Sequence, residues 1–322
     1  MDNNHVMKQT LLAFLVVTVA GPLLGQQDAQ YTQWALDKLN LNPAYAGVKG
    51  RPTASGVFRT QWIGFEGAPV SQAARFHAPL NYEKAGIGVT LENDVIGAMR
   101  STQVKGAYAY HVKLDRRTRL SLGLEASLRQ VRIDYTDARV NELDPLVGEN
   151  AVSNRLLPDV GAGAYLYSER FYLGASVTRI GKGTLYAPEG LPSGRAFANV
   201  VPHFYAMAGG DFPVATDVSL RPGVLVKHVR NAPTSVDLNA LLMYRDIAGG
   251  GLSVRAGESP GSFRPSAVAL VGQVAILEDG IMGLSYDLEV SKVNTGTIGG
   301  FELLYEHIWG RRRRPGIPCY WH

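Results

Sequence analysis

Carboxylates are the side chains of this sequence whose grouping could most readily support catalysis. One group comprises Glu83, Glu92 and Asp94, and a second comprises Asp137, Glu142 and Asp144. Paired carboxylates can perform acid–base chemistry, but no serine or histidine follows either group at a supporting position. We therefore interpret both groups as solvated charges of loops or of a water-filled interior, in preference to the active site of a hydrolase.

Metal, phosphate and redox chemistry have equally little support. The seven histidines are scattered, without a pair at metal-ligand spacing: His5, His77, His111, His203, His228, His307 and His322. Gly181–Thr184 reads Gly-Lys-Gly-Thr but lacks the upstream glycine spacing of a phosphate-binding loop. Cys319 is the only cysteine, so an internal disulfide is impossible. We predict a protein that is not an enzyme, with no catalytic residue, no cofactor and no metal.

Composition and charge narrow the class of protein. Hydrophobic residues make up 46% and charged residues 19% of the chain, which excludes a disordered protein. The sequence contains 36 glycines and 15 tyrosines, which favour strands and tight turns over helices. The net charge of +4 equals the contribution of Arg311, Arg312, Arg313 and Arg314 alone. A basic face for nucleic acid is therefore not expected.

The N-terminus has the features of a secretion signal. Lys8 precedes an apolar run from Leu11 to Ala20, and Gly25 offers a small residue for cleavage. The run is shorter than the roughly 20 residues of a spanning helix, so we predict a cleaved signal peptide at 1–25 in preference to a retained anchor. No later window is long and apolar enough to span a membrane as a helix. A membrane location would therefore require a closed β-barrel.

Period-two alternation is the main structural signal. In Arg119–Arg129, leucines and an alanine at even positions alternate with polar or small residues over a length that crosses a tilted bilayer. The same reading along the chain predicts about fourteen strands, at 53–61, 71–78, 85–94, 99–111, 118–132, 157–168, 171–179, 203–211, 218–228, 235–244, 248–257, 266–274, 281–287 and 301–309.

The connections between these strands distinguish a membrane barrel from a soluble β-sandwich. The connections after even-numbered predicted strands are brief, and all the long connections follow odd-numbered strands. Outer-membrane barrels have long outer loops and short periplasmic turns, whereas a sandwich does not sort its loops in this way. We predict an all-β, antiparallel transmembrane barrel in a bacterial outer membrane, with both termini in the periplasm. Eight tyrosines near strand ends are predicted to form aromatic girdles: Tyr108, Tyr110, Tyr167, Tyr172, Tyr205, Tyr244, Tyr286 and Tyr305.

The predicted organisation has four parts. A signal peptide at 1–25 precedes a periplasmic or plug-like segment at 26–50, the barrel occupies 51–309, and a basic tail occupies 310–322. The segment is too aromatic for a linker. Its middle is predicted to form a short helix that Asn42-Pro43 ends.

Several sequence blocks resemble the PorP/SprF family, membrane proteins of the type IX secretion system of Bacteroidota. The blocks are Gln30–Gln33, Asn42–Gly47, Arg59–Pro69, His77–Leu80, Glu92–Asp94, Tyr108–His111, Gly161–Gly163, Asp237–Ala240, Ser285–Asp287 and Phe301–Leu303. The motif positions of unknown role in the second and third blocks are Asn42, Pro43, Tyr45, Gly47, Arg59, Gln61, Trp62, Gly64, Glu66, Gly67 and Pro69.

The resemblance implies a barrel that works with the periplasmic ring and translocon proteins of the type IX apparatus. Secreted surface proteins such as gliding adhesins, and outer-membrane lipid, are the other implied partners. The resemblance supplies no catalytic residues. A pore or solute transporter plugged by segment 26–50 remains the alternative. The Arg311–Arg314 tail is either a solvated end or a docking element for an acidic periplasmic partner.

Overall fold

The computed structural model describes most of the predicted barrel. The described residues are 29–81, 83–134, 152–181, 184–186, 196–199, 201–230, 232–259, 262–276, 279–290 and 296–310. The predicted signal peptide, the second carboxylate group, Cys319 and the arginine tail lie outside these residues, as do His5 and His322.

Seventeen strands form within the described residues, preceded by two single-turn 3₁₀ helices at Lys38–Asn40 and Pro43–Tyr45. The strands are β1 (Thr53–Thr60), β2 (Val70–Leu80), β3 (Ala85–Ile96), β4 (Met99–Lys113), β5 (Arg119–Asp134), β6 (Val152–Tyr167), β7 (Phe171–Thr178), β8 (Thr184–Tyr186), β9 (Ala196–Asn199), β10 (His203–Gly210), β11 (Phe212–Ala215), β12 (Val218–Val229), β13 (Ser235–Tyr244), β14 (Ala248–Ser259), β15 (Ser262–Ile276), β16 (Gly280–Glu289) and β17 (Gly300–Ile308).

Fourteen of these strands form a closed antiparallel barrel in chain order. The sheet closes because β1 pairs with β17 along its whole length, from Thr53 opposite Ile308 to Thr60 opposite Phe301. The predicted transmembrane barrel of about fourteen strands is therefore confirmed. The strands that the sequence did not predict are β8 and β9, which pair only with each other, and β11, which pairs with β12. Each is too short for alternation to be recognised.

Alternation places apolar side chains outside the barrel. In β5, Leu122 and Leu124 are 50% and 66% exposed, whereas the intervening positions Ser121, Gly123 and Glu125 are buried. Leucines, valines and aromatic residues in the other barrel strands are similarly exposed. A surface of this kind is unstable in water but matches lipid. Among the described residues, no helix is both long and apolar enough to cross a membrane.

The polarity of β5 reverses near its C-terminal end. Gln130 and Arg132 continue the outward-facing row, while Val131 and Ile133 face inward and pack together with neighbouring apolar side chains. Gln130 donates a hydrogen bond to Asn154 of β6, with 3.1 Å between the amide groups. The end of this strand pair therefore extends beyond the lipid-facing band into water.

The predicted tyrosine girdle is only partly correct. Tyr108, Tyr110, Tyr244, Tyr286 and Tyr305 point outward and are exposed. The girdle prediction is wrong for Tyr167, Tyr172 and Tyr205, which are buried inside the barrel. These three occupy the inward-facing register of their strands, where their rings fill the lumen.

The two ends of the barrel differ in their connections. At the loop-rich end, the strands are joined by residues 61–69, 97–98, 135–151, 179–202, 230–234, 260–261 and 290–299. At the short-turn end, they are joined by residues 81–84, 114–118, 168–170, 211–217, 245–247 and 277–279. All of the longest connections lie at one end, as the sequence predicts.

Residues 29–50, here called the internal segment, precede the barrel. The first 3₁₀ helix ends just before Asn42-Pro43, where the sequence predicts a helix to end, and Asn42-Pro43 then begins the second 3₁₀ helix. The Asn42 side chain caps that helix by accepting from the Ala44 N–H, and Pro43 occupies its first position. Proline is well suited there because the first N–H of a helix has no partner within it.

A charge placed on the lipid-facing band should destabilise the barrel. We expect Leu124→Arg to lower the free energy of unfolding by about 2–4 kcal/mol, the cost of arginine near a bilayer midplane. Gln130→Arg, on the same strand beyond the apolar band, should change it by less than about 1 kcal/mol. Urea titration of the protein folded in vesicles measures both. Equal effects of the two variants would contradict the assignment of the band to lipid.

Candidate functional site

The lumen is the most highly organised part of the structure, because the internal segment lies inside it. Residues 31–49 of the segment are almost entirely buried. Their side chains and backbone contact inward-facing residues of strands on all sides of the barrel.

A buried cluster of charges, here called the clamp, fixes the segment at the closing seam of the barrel. Arg59 of β1 forms ion pairs with Asp287 of β16 and with Glu302 of β17, the second at 2.9 Å. Arg59 also donates to the Thr32 hydroxyl at 2.9 Å. The backbone N–H groups of Thr32 and Gln33 donate to the two Glu302 oxygens at 2.8 and 2.9 Å. The clamp therefore joins the first strand, the last two strands and the segment.

A second ion pair lies beside the clamp. Asp37 of the segment pairs with Arg75 of β2, and both side chains are buried. The Arg75 guanidinium also lies over the Tyr31 ring, 5.0 Å from its centroid. Tyr31 donates through its hydroxyl to Glu92 of β3 at 2.9 Å.

The Asn-Pro-Ala-Tyr-Ala-Gly block lies against the opposite wall. The Asn42 amide donates to the carbonyls of Ala164 in β6 and Ala175 in β7, at 2.9 and 3.3 Å. Ser121 of β5 donates through its hydroxyl to the Ala44 carbonyl at 2.6 Å. Side chains and backbone of the segment thus saturate strand groups that would otherwise face an empty lumen.

Tyrosines surround the middle of the segment. The Tyr45 ring meets Tyr165 edge-on with centroids 5.4 Å apart, and Tyr165 stacks on Tyr172 at 5.7 Å. Lys38 places its ammonium 4.5 Å from the Tyr172 centroid and donates to the Ala35 carbonyl.

The end of the segment is fixed at the short-turn mouth. Lys49 forms a buried ion pair with Glu306 of β17. The Gly47 N–H lies 3.3 Å from Nδ1 of His77 in β2, to which it donates. Gly47 has a φ of +76°, a conformation that glycine adopts readily, and a Cβ added to it would lie 2.7 Å from the Cα of Gly86.

Glycines in the barrel wall make room for the segment. A Cβ added to Gly86 of β3 or to Gly123 of β5 would lie under 3.0 Å from backbone atoms of Ala46 or Ala44, respectively. An added Cβ at Gly163 would meet the Asn42 side chain equally closely. The wall and the segment are therefore complementary in shape, not only in charge.

The Gln61–Pro69 block forms a separate feature, an ordered loop at the loop-rich end. Ile63 donates from its N–H to the Gly299 carbonyl at 2.9 Å, and Ile298 donates to the Ile63 carbonyl at 3.0 Å. These bonds tie the loop to the residues before β17. Trp62, at a φ of +51°, is an exposed aromatic residue in the left-handed region. Such a conformation costs energy for a residue other than glycine and is retained only where its surroundings fix it.

The structure therefore divides the motif positions into two sets. Asn42, Pro43, Tyr45, Gly47 and Arg59 lie in the lumen. Gln61, Trp62, Gly64, Glu66, Gly67 and Pro69 lie in the loop. Glu92, singled out as a possible acid–base group, instead accepts from Tyr31. Its neighbours have similar roles: Glu83 pairs with Arg119, and Asp94 accepts from Ser71.

The sequence patterns did not predict the ion pairs Asp37–Arg75 and Lys49–Glu306, or the contact of Lys38 with the Tyr172 ring. The inward-facing register of Arg75 and Glu306 in their strands could have indicated that these side chains face the lumen. It does not indicate which residue of the segment each of them pairs with. Within the described part of the chain, no group of three or more histidine, cysteine, aspartate or glutamate side chains is arranged to hold a metal ion.

Removing the central cation of the clamp should be costly. Arg59→Ala leaves the Asp287 and Glu302 carboxylates buried without their cation, and we expect a loss of about 3–5 kcal/mol in unfolding free energy. Arg245→Ala is the matched control, because its ion pair with Asp217 is exposed and should be worth less than about 1 kcal/mol. Urea titration in vesicles compares the two. An Arg59→Ala loss as small as that of the control would contradict the clamp.

Shape complementarity gives an independent prediction. Gly86→Ala should cost about 1–3 kcal/mol, because the new methyl group overlaps the Ala46 carbonyl and forces the segment to shift. Gly106→Ala in β4 should be neutral or slightly stabilising, since a Cβ there meets nothing within 4 Å. Limited proteolysis should cleave the segment faster in Gly86→Ala than in Gly106→Ala. Equal cleavage rates would show that the segment is not held against this wall.

Comparisons with known proteins agree with this architecture. The chain resembles the monoaromatic hydrocarbon channel CymD, with a TM-score of 0.50, 11% identity, and coverage of 90% of this chain and 96% of that one. A FadL homologue of Pseudomonas aeruginosa matches at a TM-score of 0.46 and 10% identity, covering 90% and 96% of the two chains. The Ralstonia pickettii toluene transporter TbuX matches at 0.49 and 12%, covering 89% and 97%. At these identities the likeness concerns the fold alone.

No curated protein matches the chain in sequence. A family model does match, over residues 23–306, and its description is type IX secretion system membrane protein PorP/SprF. That range covers the internal segment, the clamp, the Gln61–Pro69 loop and nearly all of the barrel. The chain therefore belongs to the PorP/SprF family of type IX secretion system membrane proteins.

Proposed function

We propose that this protein is a non-enzymatic outer-membrane component of the type IX secretion system. In this role it docks periplasmic ring or translocon proteins and supports the secretion or surface attachment of substrate proteins such as adhesins. The observation that carries the proposal is the filled lumen of a barrel that belongs to a secretion family. Because its interior is occupied by its own chain, we propose that this barrel acts through its two ends and its outer surface.

The Gln61–Pro69 loop is the proposed contact for a secreted substrate protein. It carries Trp62 and Phe65, which are 37% and 43% exposed, on a backbone fixed by hydrogen bonds to residues 298–299. Rigid exposed aromatic side chains are typical anchors of protein interfaces, because they bury a large area at little entropic cost. In the proposed orientation the loop-rich end faces the cell exterior and the short-turn end faces the periplasm.

The arginine tail is the proposed contact on the periplasmic side. Arg311–Arg314 follow the last strand, which ends at the short-turn mouth. A run of four cations can bind an acidic partner surface, and such contacts weaken with salt.

The alternative, a pore or solute transporter, has support from the barrel class and from the small cavities beside the segment. The hydrogen bonds of Thr32 and Gln33 to the clamp near one mouth, and the Lys49–Glu306 ion pair at the other, oppose it, because steady conduction would require the segment to move. Planar-bilayer recordings distinguish the two functions. We expect no stable open channels from the intact protein, and long-lived openings would favour the pore.

Variants of the two proposed contacts test the docking function. Trp62→Gly with Phe65→Ser removes the exposed rings and keeps a residue suited to the φ of position 62. We expect this variant to release substrate protein into the medium or to block its secretion. Deletion of residues 311–322 should instead reduce co-purification of periplasmic partners from detergent extracts. Heat-modified mobility on gels verifies that each variant barrel has folded. Normal secretion and co-purification in both folded variants would contradict the proposal.

A further inference from the structure

The internal segment has a defined direction through the barrel. Its first residues contact the loop-rich end. Tyr31 bonds to Glu92, and Thr32 bonds to Glu302 and Asp287. These three acidic residues lie toward the loop-rich ends of β3, β17 and β16.

The last residues of the segment lie at the other mouth. Lys49 pairs with Glu306, which is near the short-turn end of β17, and Gly47 donates to His77. The chain then enters β1 at Thr53, opposite Ile308, the final residue of the last strand. The carboxyl end of the barrel is therefore at the short-turn mouth.

Ala29, the first described residue, lies at the opposite mouth from Ile308. It lines a cavity together with His203, Val229 and Ser235. His203 begins β10, Val229 ends β12 and Ser235 begins β13, so all three are at the loop-rich end. The segment therefore runs the length of the lumen, from one mouth to the other.

We infer that the chain threads the barrel from its loop-rich mouth to its short-turn mouth, so that Ala29 lies at the mouth that is accessible from the cell exterior. The last strand then ends on the periplasmic side, where the sequence led us to expect the carboxyl terminus, whereas Ala29 lies at the exterior mouth, opposite to the periplasmic position predicted for the amino terminus. It rests on the orientation given under the proposed function.

The contacts make the direction difficult to reverse. Entry from the short-turn mouth would require the segment to double back in a lumen already filled by residues 31–49. Reversing the direction of residues 31–49 would also remove Thr32 from the clamp, leaving the Arg59, Asp287 and Glu302 charges without that partner. Buried charges that lose partners are strongly unfavourable, so the threaded direction is the one that the lumen stabilises.

Cysteine labelling in living cells tests the direction. In a Cys319→Ser background, single cysteines are introduced by Ala29→Cys, by Glu66→Cys in the ordered loop and by Arg116→Cys in a short turn. A membrane-impermeant maleimide is then added to intact cells and to cells with a permeabilised outer membrane. We expect Ala29→Cys and Glu66→Cys to react in intact cells, and Arg116→Cys to react only after permeabilisation.

The controls separate the two ways in which the proposal can fail. Reaction of Ala29→Cys only after permeabilisation, with Glu66→Cys still reactive in intact cells, would overturn the threading while leaving the barrel orientation in place. If Arg116→Cys reacted in intact cells and Glu66→Cys reacted only after permeabilisation, the orientation of the barrel would be overturned. The access of Ala29 to the exterior would then be overturned with it.

A second variant decides the result if the half-buried Ala29→Cys thiol reacts in neither condition. The second variant carries a peptide epitope inserted directly before Ala29. An antibody is too large to enter the lumen, so it binds the epitope only where the epitope projects from a mouth of the barrel. Antibody binding to intact cells supports the threading. The threading is overturned if the antibody binds only after permeabilisation, to the same level as it binds an epitope inserted in the 114–118 turn.

Discussion

Buried charge is the constraint on which this structure depends. Arg59, Asp287 and Glu302 are removed from water at the seam where the first and last strands meet, and each is stable there only because the others are present. Thr32 and Gln33 supply the remaining donors. Closure of the barrel and docking of the internal segment are therefore coupled, since the same charges serve both.

The barrel is inverted relative to a soluble protein. Its apolar side chains face lipid, and its polar and aromatic side chains form a core around the internal segment. Wall glycines such as Gly86 and Gly123 let the backbone of the segment approach the strands closely. The lumen is therefore filled by the internal segment. A filled lumen suits the proposed docking component better than it suits an open channel.

Most of the barrel could be predicted because a strand's inward and outward positions alternate in the sequence itself. The fourteen barrel strands were located from that pattern, and the lengths of the connections identified the loop-rich end. Alternation could not identify β8, β9 or β11, which are too short. The girdle prediction failed for Tyr167 and Tyr172 because it used only their nearness to strand ends, whereas alternation sets them in the same rows as glycines and a serine, which face inward. Tyr205 lies in a strand whose two rows are both largely apolar, so alternation does not identify its side.

The lumen contacts were beyond sequence reasoning for a different reason. Thr32 and Glu302 are 270 positions apart, and no local pattern links them. Resemblance to the family marked both blocks without giving either a role, and the fold then brought them together. The division of the Arg59–Pro69 block between the clamp and the exposed loop likewise required the structure. Only Thr60, the last residue of β1, separates Arg59 in the clamp from Gln61 in the loop.

Hydrogen–deuterium exchange of the protein in lipid vesicles tests the central claim, that the internal segment is a fixed part of the barrel. Protection should extend over residues 31–49 to a degree similar to that of β1 and β17, because opening the segment would expose the clamp. Exchange of 31–49 as fast as that of the exposed 114–118 turn, with the strands still protected, would contradict the account.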